Sequence, residues 1–493
     1  MRNIILLTLD AFNYDLFINN INNLPNLLQL KKSGVFFKNA FSVGPATAFS
    51  FPAIVGSVYP YWFGIKISKD IQTIDSMLKE YGYNTAFINE ANALLTPFFG
   101  YGRKLDFQDH FLSLSHAAVD RKLQNTFLES KSPHILKPME FMRDIYMKLA
   151  DLRTRNFARY VYGISNLLRL YLAGSSENFR ERRNLYNTFR DKIVKFINED
   201  FKEPQFIWIH TIINHLPYLP YEETSKFSER EINHLNYRGL CGLINTRISK
   251  KLKSLYIESL RKTDQLVGEI IDNLKKNDLL YNSLVIVTAD HGEEFEKTYV
   301  GHDPKSSSDM LLHVPLVFSS PLQFKGKSIS IPVSSIDILP TIADLLEMQI
   351  PHNARGKSLK SFILNHPIDS RKEGMMRQRA LYSEAWDIGN PLNPKSSSES
   401  NSRIFTVRDD RHRLKITEKN VGNGIKTEFE LFDWIDRKQL DIQTNSQLIH
   451  KLRHLLYMHL YEEEVFYESI VGEKERIRRN IGKLKEIESH RSL

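Results

Sequence analysis

Apolar positions in this chain fall into short unbroken runs, separated by stretches with a helical period. The runs are Ile4–Leu9, Val35–Phe41, Thr85–Ile88, Phe206–His210, Leu284–Val287 and Val314–Phe318. Short β-branched or aromatic runs of this kind predict strands buried on both faces, as parallel sheets require. Between them, Leu24–Lys32 reads as a helix closed by Gly34, and residues 252–279 as a long helix. Lys69–Tyr81 carries Ile71, Ile74, Met77 and Leu78 at helical spacing. Pro52 and Pro340 suit first helical turns, where a missing N–H costs nothing, so helices are expected from near Ser50 and over Ile338–Leu346. The alternation predicts an α/β fold: a doubly wound, mostly parallel sheet with helices on both faces. Residues 113–200 break the rhythm and read as a helical insert with an apolar stripe of Ile145, Leu149 and Leu152. From about residue 366 the pattern changes. Short strand-like runs at 380–383, Arg403–Arg408 and Phe429–Phe432 predict a small C-terminal α+β subdomain over 366–445. That leaves 1–365 as the main domain and 446–493 as a charged helical tail.

Composition narrows this picture. The chain has 493 residues, 42% hydrophobic and 25% charged, enough for one large core and a smaller one. The formal charge is +9, and residues 121–183 supply most of it, with thirteen Lys or Arg against six acids. That stretch either faces an anionic partner or is a solvated face. No nucleic acid is expected as a partner. No apolar run reaches membrane-span length, and Ile4–Leu9, interrupted by Asp10, is too short for a signal-peptide core. The single cysteine, Cys241, excludes an internal disulfide framework and fits a reducing compartment, so a cytoplasmic location is expected.

The candidate chemistry sits at strand ends. Residues 4–9 deliver Asp10, and 284–287 lead through Thr288-Ala289 to Asp290-His291, with Gly292 allowing a turn. Open α/β sheets bind ligands at the carboxyl ends of their strands. Two such carboxylates and an imidazole suit a divalent cation, although Asp290-His291 alone reads equally well as a helix-capping Asp beside a surface His.

Asp10, the stretch Thr47-Ala48-Phe49-Ser50-Phe51 ahead of Tyr59-Pro60, and Asp290-His291-Gly292-Glu293 occur in an order that resembles the sulfatase group of the alkaline phosphatase superfamily, over roughly residues 1–445. The resemblance implies one divalent metal held by Asp10, Thr47, Asp290 and His291, with Zn or Mn favoured over Ca or Mg. It places Thr47 at the nucleophile position, where sulfatases carry a Cys or Ser that becomes formylglycine. Thr cannot make that conversion, so no formylglycine is expected. Ser50 is the rival nucleophile, or a helix N-cap. His215, in Asn-His-Leu-Pro-Tyr, and His302, in Gly-His-Asp, match histidines that contact the transferred group and protonate the leaving oxygen. Lys305 is placed to bind anionic oxygens.

The departures also matter. Ala11 stands where many sulfatases have a second Asp, Phe51 where the motif has Arg, and Asn89-Glu90-Ala91-Asn92 where a Lys-x-His is common. His210-Thr-Ile-Ile-Asn214 lacks the Asp that a second metal would need. The implied function is metal-dependent hydrolysis of sulfate or phosphate esters. Phosphodiesterase, phosphonate-ester hydrolase or phosphotransferase chemistry is favoured over that of a formylglycine sulfatase. The substrate is an anionic ester such as an acidic glycan or lipid head group. The alternative is a non-catalytic polyanion-binding protein on the same scaffold. The insert either caps the site or packs on the far side, where it would serve packing or a homodimer.

Overall fold

The computed structural model describes residues 3–110, 177–386 and 402–471, apart from short breaks at 93, 97–98, 103–104, 200, 222–224, 365–369 and 422–423. The central sheet contains β1 (Asn3–Leu9), β2 (Val35–Phe41), β3 (Asn84–Asn89), β4 (Phe107–His110), β5 (Gln205–Thr211), β6 (Ser283–Ala289), β9 (His313–Ser319) and β10 (Lys327–Ser334). A separate two-stranded ribbon, β7 (Glu294–Phe295) and β8 (Val300–Gly301), follows β6. The spatial order is β10-β2-β9-β6-β1-β5-β3-β4. All pairings are parallel except those of β9 with β2 and β6. Every residue of β1, β5 and β6 is buried, which is why these runs show no polar alternation. Each buried Ile, Leu or Val contributes roughly 1.5–3 kcal/mol relative to exposure.

The helices Pro25–Ser33, Glu177–Ile197, Glu229–Leu240 and Thr246–Lys276 pack on one another, and Thr47–Gly56, Ile74–Glu80 and Ile338–Leu345 form a second group. Together they cover both faces of the mostly parallel sheet, as the alternation predicts. Several boundaries differ from expectation. The helix expected over Lys69–Tyr81 begins at Ile74, because Thr73 and Ser76 form a capping box there. The long helix starts at Thr246, where the Asn245 side chain accepts from the Ile248 N–H. The helix expected near Ser50 starts at Thr47, with Ala46 as its N-cap, so Pro52 lies inside it. Ser50 is therefore not the cap.

A second sheet, β11 (Leu381–Trp386), β12 (Ser402–Arg408), β13 (His412–Val421), β14 (Gly424–Asp433) and β15 (Lys438–Leu440), is an antiparallel meander. The helix Ser446–Val471 lies across it, burying Ile449, Leu452 and Leu456 against Phe405, Val407, Leu414 and Ile416. Its edge strand β11 abuts the main domain: Glu384 N–H donates to Val43 C=O (2.7 Å) and Ser383 Oγ to Ser42 C=O (2.7 Å). Of the expected insert, the helix Glu177–Ile197 is described. The stripe at Ile145, Leu149 and Leu152 and most of the basic residues lie outside the described residues, as does the tail beyond residue 471.

Candidate active site

The register of the parallel strands builds the site. Leu9 pairs with Ala289 and Thr8 with both Thr288 and His210, so Asp10 and Asp290 emerge side by side at the carboxyl edge. Asp10 N–H extends the ladder by donating to Thr211 C=O at 3.0 Å. The chain then turns sharply at Ala11, which adopts φ 54°, a left-handed conformation that an L-residue enters at a cost of about 1 kcal/mol. The turn is held from both sides: Ala11 N–H donates to Asp290 Oδ1 (3.3 Å), and Tyr256 O–H donates to Ala11 C=O (2.8 Å). Gly292 is required here for a different reason, since a Cβ would stand 2.0 Å from the Met310 carbonyl oxygen.

Asp10, Asp290 and His291 are fully buried, and one donor atom from each lies within 4.8 Å of the others. His291 Nε2 is 3.5 Å from Asp10 Oδ1 and 3.5 Å from Asp290 Oδ2. Those separations are long for hydrogen bonds. They suit donors sharing a cation, which at metal–ligand distances near 2.1 Å stand about 3.0–3.4 Å apart. Asp10 Oδ1 is buried with no hydrogen-bond partner, an uncompensated acceptor aimed into the cluster. His291 Nδ1 donates to Gly292 C=O (2.8 Å), leaving Nε2 as the lone-pair nitrogen facing the two carboxylates. Burial, reinforced by nearby His302, lowers His291 to about 3, so its ring is neutral. Burial, then proximity to Asp10, raises Asp290 well above the carboxylate range, whereas Asp10 is held low despite its burial by His215, His210 and His291. Two adjacent buried carboxyls of opposite tendency, with a neutral imidazole, form a donor set that fits a divalent cation.

Thr47 is the first residue of its helix, and its hydroxyl donates to Asp290 Oδ2 at 3.0 Å, 3.4 Å from His291 Nε2. Ser50 points elsewhere, its hydroxyl bonding Gly44 C=O (2.8 Å), Ala46 C=O (3.0 Å) and Ser42 Oγ (3.0 Å). Phe51, where the motif has Arg, packs edge-on to His210 with ring centroids 5.1 Å apart.

His302 Nδ1 pairs with Glu293 Oε2 at 2.7 Å, while Glu293 Oε1 accepts from Tyr218 O–H at 2.7 Å. Burial pulls His302 down, but Glu293 more than offsets it and carries His302 up to about 9. His302 is therefore an imidazolium whose Nε2 is turned from Glu293. Its ring lies 4.4 Å from that of His291 and 4.9 Å from that of His215, centroid to centroid. His215 is pinned through Nδ1 to Leu216 C=O (2.6 Å). Lys305 lies on the exposed turn that follows, its backbone N–H donating to Asp303.

Two further side chains enter the site that the motif alignment does not assign. Asn92 Nδ2 lies 2.8 Å from Asp10 Oδ2, 3.4 Å from Thr47 Oγ1 and 3.3 Å from His210 Nε2. Asn89 fixes this loop by accepting from the Ala91 and Asn92 N–H groups. His210 Nε2 also lies 3.3 Å from Asp10 Oδ2, and its Nδ1 meets Thr8 Oγ1 at 2.9 Å. One oxygen of Asp10 is thus engaged by His210 and Asn92, and the other is left for a cation. The departure from Lys-x-His marks the Asn92 position in the sequence. Glu293 is visible only as part of its motif, with nothing to indicate its two partners. Beside the site, Arg182 bonds the buried Glu90 and the Ile212 carbonyl, tying the helix Glu177–Ile197 to the loops after β3 and β5.

A family model described as Sulfatase matches residues 2–348. Arylsulfatase K of Canis lupus familiaris is 32% identical over 139 residues, covering 28% of this chain and 22% of that protein. Arylsulfatase K of Homo sapiens is 35% identical over 113 residues, covering 22% and 20%. The matched segments thus span about a fifth of the length of these relatives. Among solved structures, the phosphonate monoester hydrolase SpPMH from Silicibacter pomeroyi superposes with a TM-score of 0.62 at 16% identity, covering 94% of this chain and 95% of that one. A 2-O GAG sulfatase does so with a TM-score of 0.61 at 14% identity, covering 95% and 94%. At these identities the likeness shows the fold.

Proposed function

The chain belongs to the sulfatase family, and from that premise we propose that it is a metal-dependent ester hydrolase that uses Thr47 as nucleophile and prefers phosphodiesters or phosphonate esters to sulfate esters. The observation that carries this reading is the Thr47 hydroxyl, which starts a helix and lies 3.0 Å from Asp290 and 3.4 Å from His291. A single divalent cation held by Asp10, Thr47, Asp290 and His291, Zn or Mn by its donor types, would supply Lewis acidity to the hydroxyl and to the ester. The helix N-terminus favours the anionic group under attack. Thr47 Oγ1 gives up its proton to water and forms a bond to phosphorus as the bond to the leaving oxygen breaks. His302, charged and oriented by Glu293, protonates that oxygen, with His215 beside it. Water then releases the phosphoryl group from Thr47, or a second alcohol accepts it.

The preference for phosphoryl esters rests on three residues. The only cysteine, Cys241, caps the helix Glu229–Leu240 and is not at the nucleophile position. Ser50 is committed to backbone carbonyls, and Phe51 offers no charge. Comparing kcat/KM for an aryl phosphodiester, a phosphonate monoester, an aryl phosphate and an aryl sulfate tests the reading. The first two should turn over fastest. Faster sulfate release would overturn the preference, and no turnover of any substrate by protein carrying stoichiometric metal would favour the polyanion-binding alternative.

A further inference from the structure

The helix Ser446–Val471 buries one face on the small sheet and leaves a second apolar face uncovered by the described residues. Tyr461 is 63% exposed, Val465 49%, Met458 45% and Tyr457 43%. Such a helix, apolar on two sides, has more nonpolar surface than one sheet can cover. The outward residues fall on a heptad seam of His454, Met458, Tyr461 and Val465, with Lys451 one step before and Glu468 one step beyond. From Lys451 to Glu468 the seam is about 26 Å long. Its charge is polar along the axis: His450, Lys451 and His454 lie toward the N-terminal end, Glu462 and Glu468 toward the C-terminal end.

We propose that this face pairs with the same face of a second copy, antiparallel about a two-fold axis between Met458 and Tyr461. The arrangement is isologous, so each layer is repeated by symmetry. Met458 meets the other copy's Tyr461, His454 meets Val465, and Lys451 meets Glu468. A parallel pairing would oppose like charges at both ends, which disfavours it. Lys451 is paired with Asp409 within its own chain (3.2 Å), and because its side chain is 61% exposed the ammonium can share a second carboxylate on its outer side. The seam is shorter than a standard interface, so the dimer should dissociate in the micromolar range.

Sedimentation velocity on the full chain, from about 1 to 100 µM, tests this. The parent should shift from monomer to dimer. Tyr461→Lys should stay monomeric with unchanged circular dichroism, because Tyr461 is the most exposed of the seam's apolar residues. Lys451→Glu should weaken the dimer about tenfold, and adding Glu468→Lys in the same chain should restore it. A parent that remains monomeric, because its own chain or nothing covers the seam, would overturn the proposal. So would a Tyr461→Lys variant that still dimerises, or a charge swap that fails to restore pairing.

Discussion

At the scale of single residues, the site divides into groups that do chemistry and groups that hold them. Thr47→Ala should lower turnover of an activated phosphodiester by roughly three orders of magnitude or more. Ser50→Ala should cost about 1–3 kcal/mol in stability, because its hydroxyl serves two buried carbonyls, with a much smaller loss of rate. The reverse ranking in steady-state assays would move the nucleophile to Ser50. Asp290→Asn preserves the acceptor for the Ala11 and His291 N–H groups but removes one of two crowded buried carboxyls. Metal content by elemental analysis should therefore fall to background while the metal-free protein unfolds at the same or a higher temperature. Equal metal in variant and parent would dismiss the ligand assignment. The convergence of Asp10, Asp290 and His291 was legible in the sequence, because strand-terminal carboxylates leave local marks, whereas Thr47 came from motif order alone. The positions of His210 and Asn92 stand out in the sequence but their roles do not, since these depend on β1, β3 and β5 being neighbours in one register, and that is set by tertiary packing.

At the scale of elements, the sequence carries the strands better than the helix ends. Continuous apolar runs mark buried strands directly, whereas Pro52 misplaced the start of the Thr47 helix by three residues. A proline tolerated in a helix interior leaves the same trace as one in a first turn. The junction of the C-terminal helix with the main domain carries its own pH dependence. Glu384 is buried against the Tyr61 N–H (2.8 Å) and His459 (3.5 Å), with Glu463, Arg355, Tyr59 and Tyr382 around them. Burial raises Glu384 from 4.5 to about 8 and lowers His459 from 6.5 to about 4. Where the folded protein keeps the Glu384 proton and the unfolded chain has released it, stability falls as pH rises, between 4.5 and 8. His459 works in the opposite sense between 4 and 6.5, where only the unfolded chain is protonated. The two oppose each other below 6.5, so the net loss should fall between about 6.5 and 8, on the order of 1–2 kcal/mol. Urea unfolding across this range should show a steeper slope in the parent than in Glu384→Gln, which keeps the fall that His302 contributes over the same range. An equal slope in both would remove Glu384 as its source. Gly292→Ala should destabilise by about 1–3 kcal/mol, read by the same method, because the new methyl group displaces the Met310 carbonyl.

At the scale of the whole molecule, the alternation of strands and helices was enough to read a mostly parallel, doubly wound sheet. It was not enough to read the strand order, because parallel partners are chosen by packing of distant segments rather than by turns. The C-terminal sheet also proved less separate than its change of pattern suggests, since β11 bonds directly to the loop leading to Thr47. The position of β1 has a consequence for synthesis. Both of its neighbours come late: β5 ends at Thr211 and β6 at Ala289. At about 5–20 residues per second, the ribosome needs roughly 15–55 s to deliver the second neighbour after the first strand has been made. For the later part of that interval β1 has β5 on one side and an open edge on the other, so nascent chains are expected to depend on chaperones. Fragments ending before residue 283 should accumulate in the insoluble fraction or bound to chaperones, and those extending through residue 471 should be released soluble. Pulse labelling and fractionation of a series of fragments ending between residues 283 and 471 would show whether solubility arrives in one step with the delivery of β6.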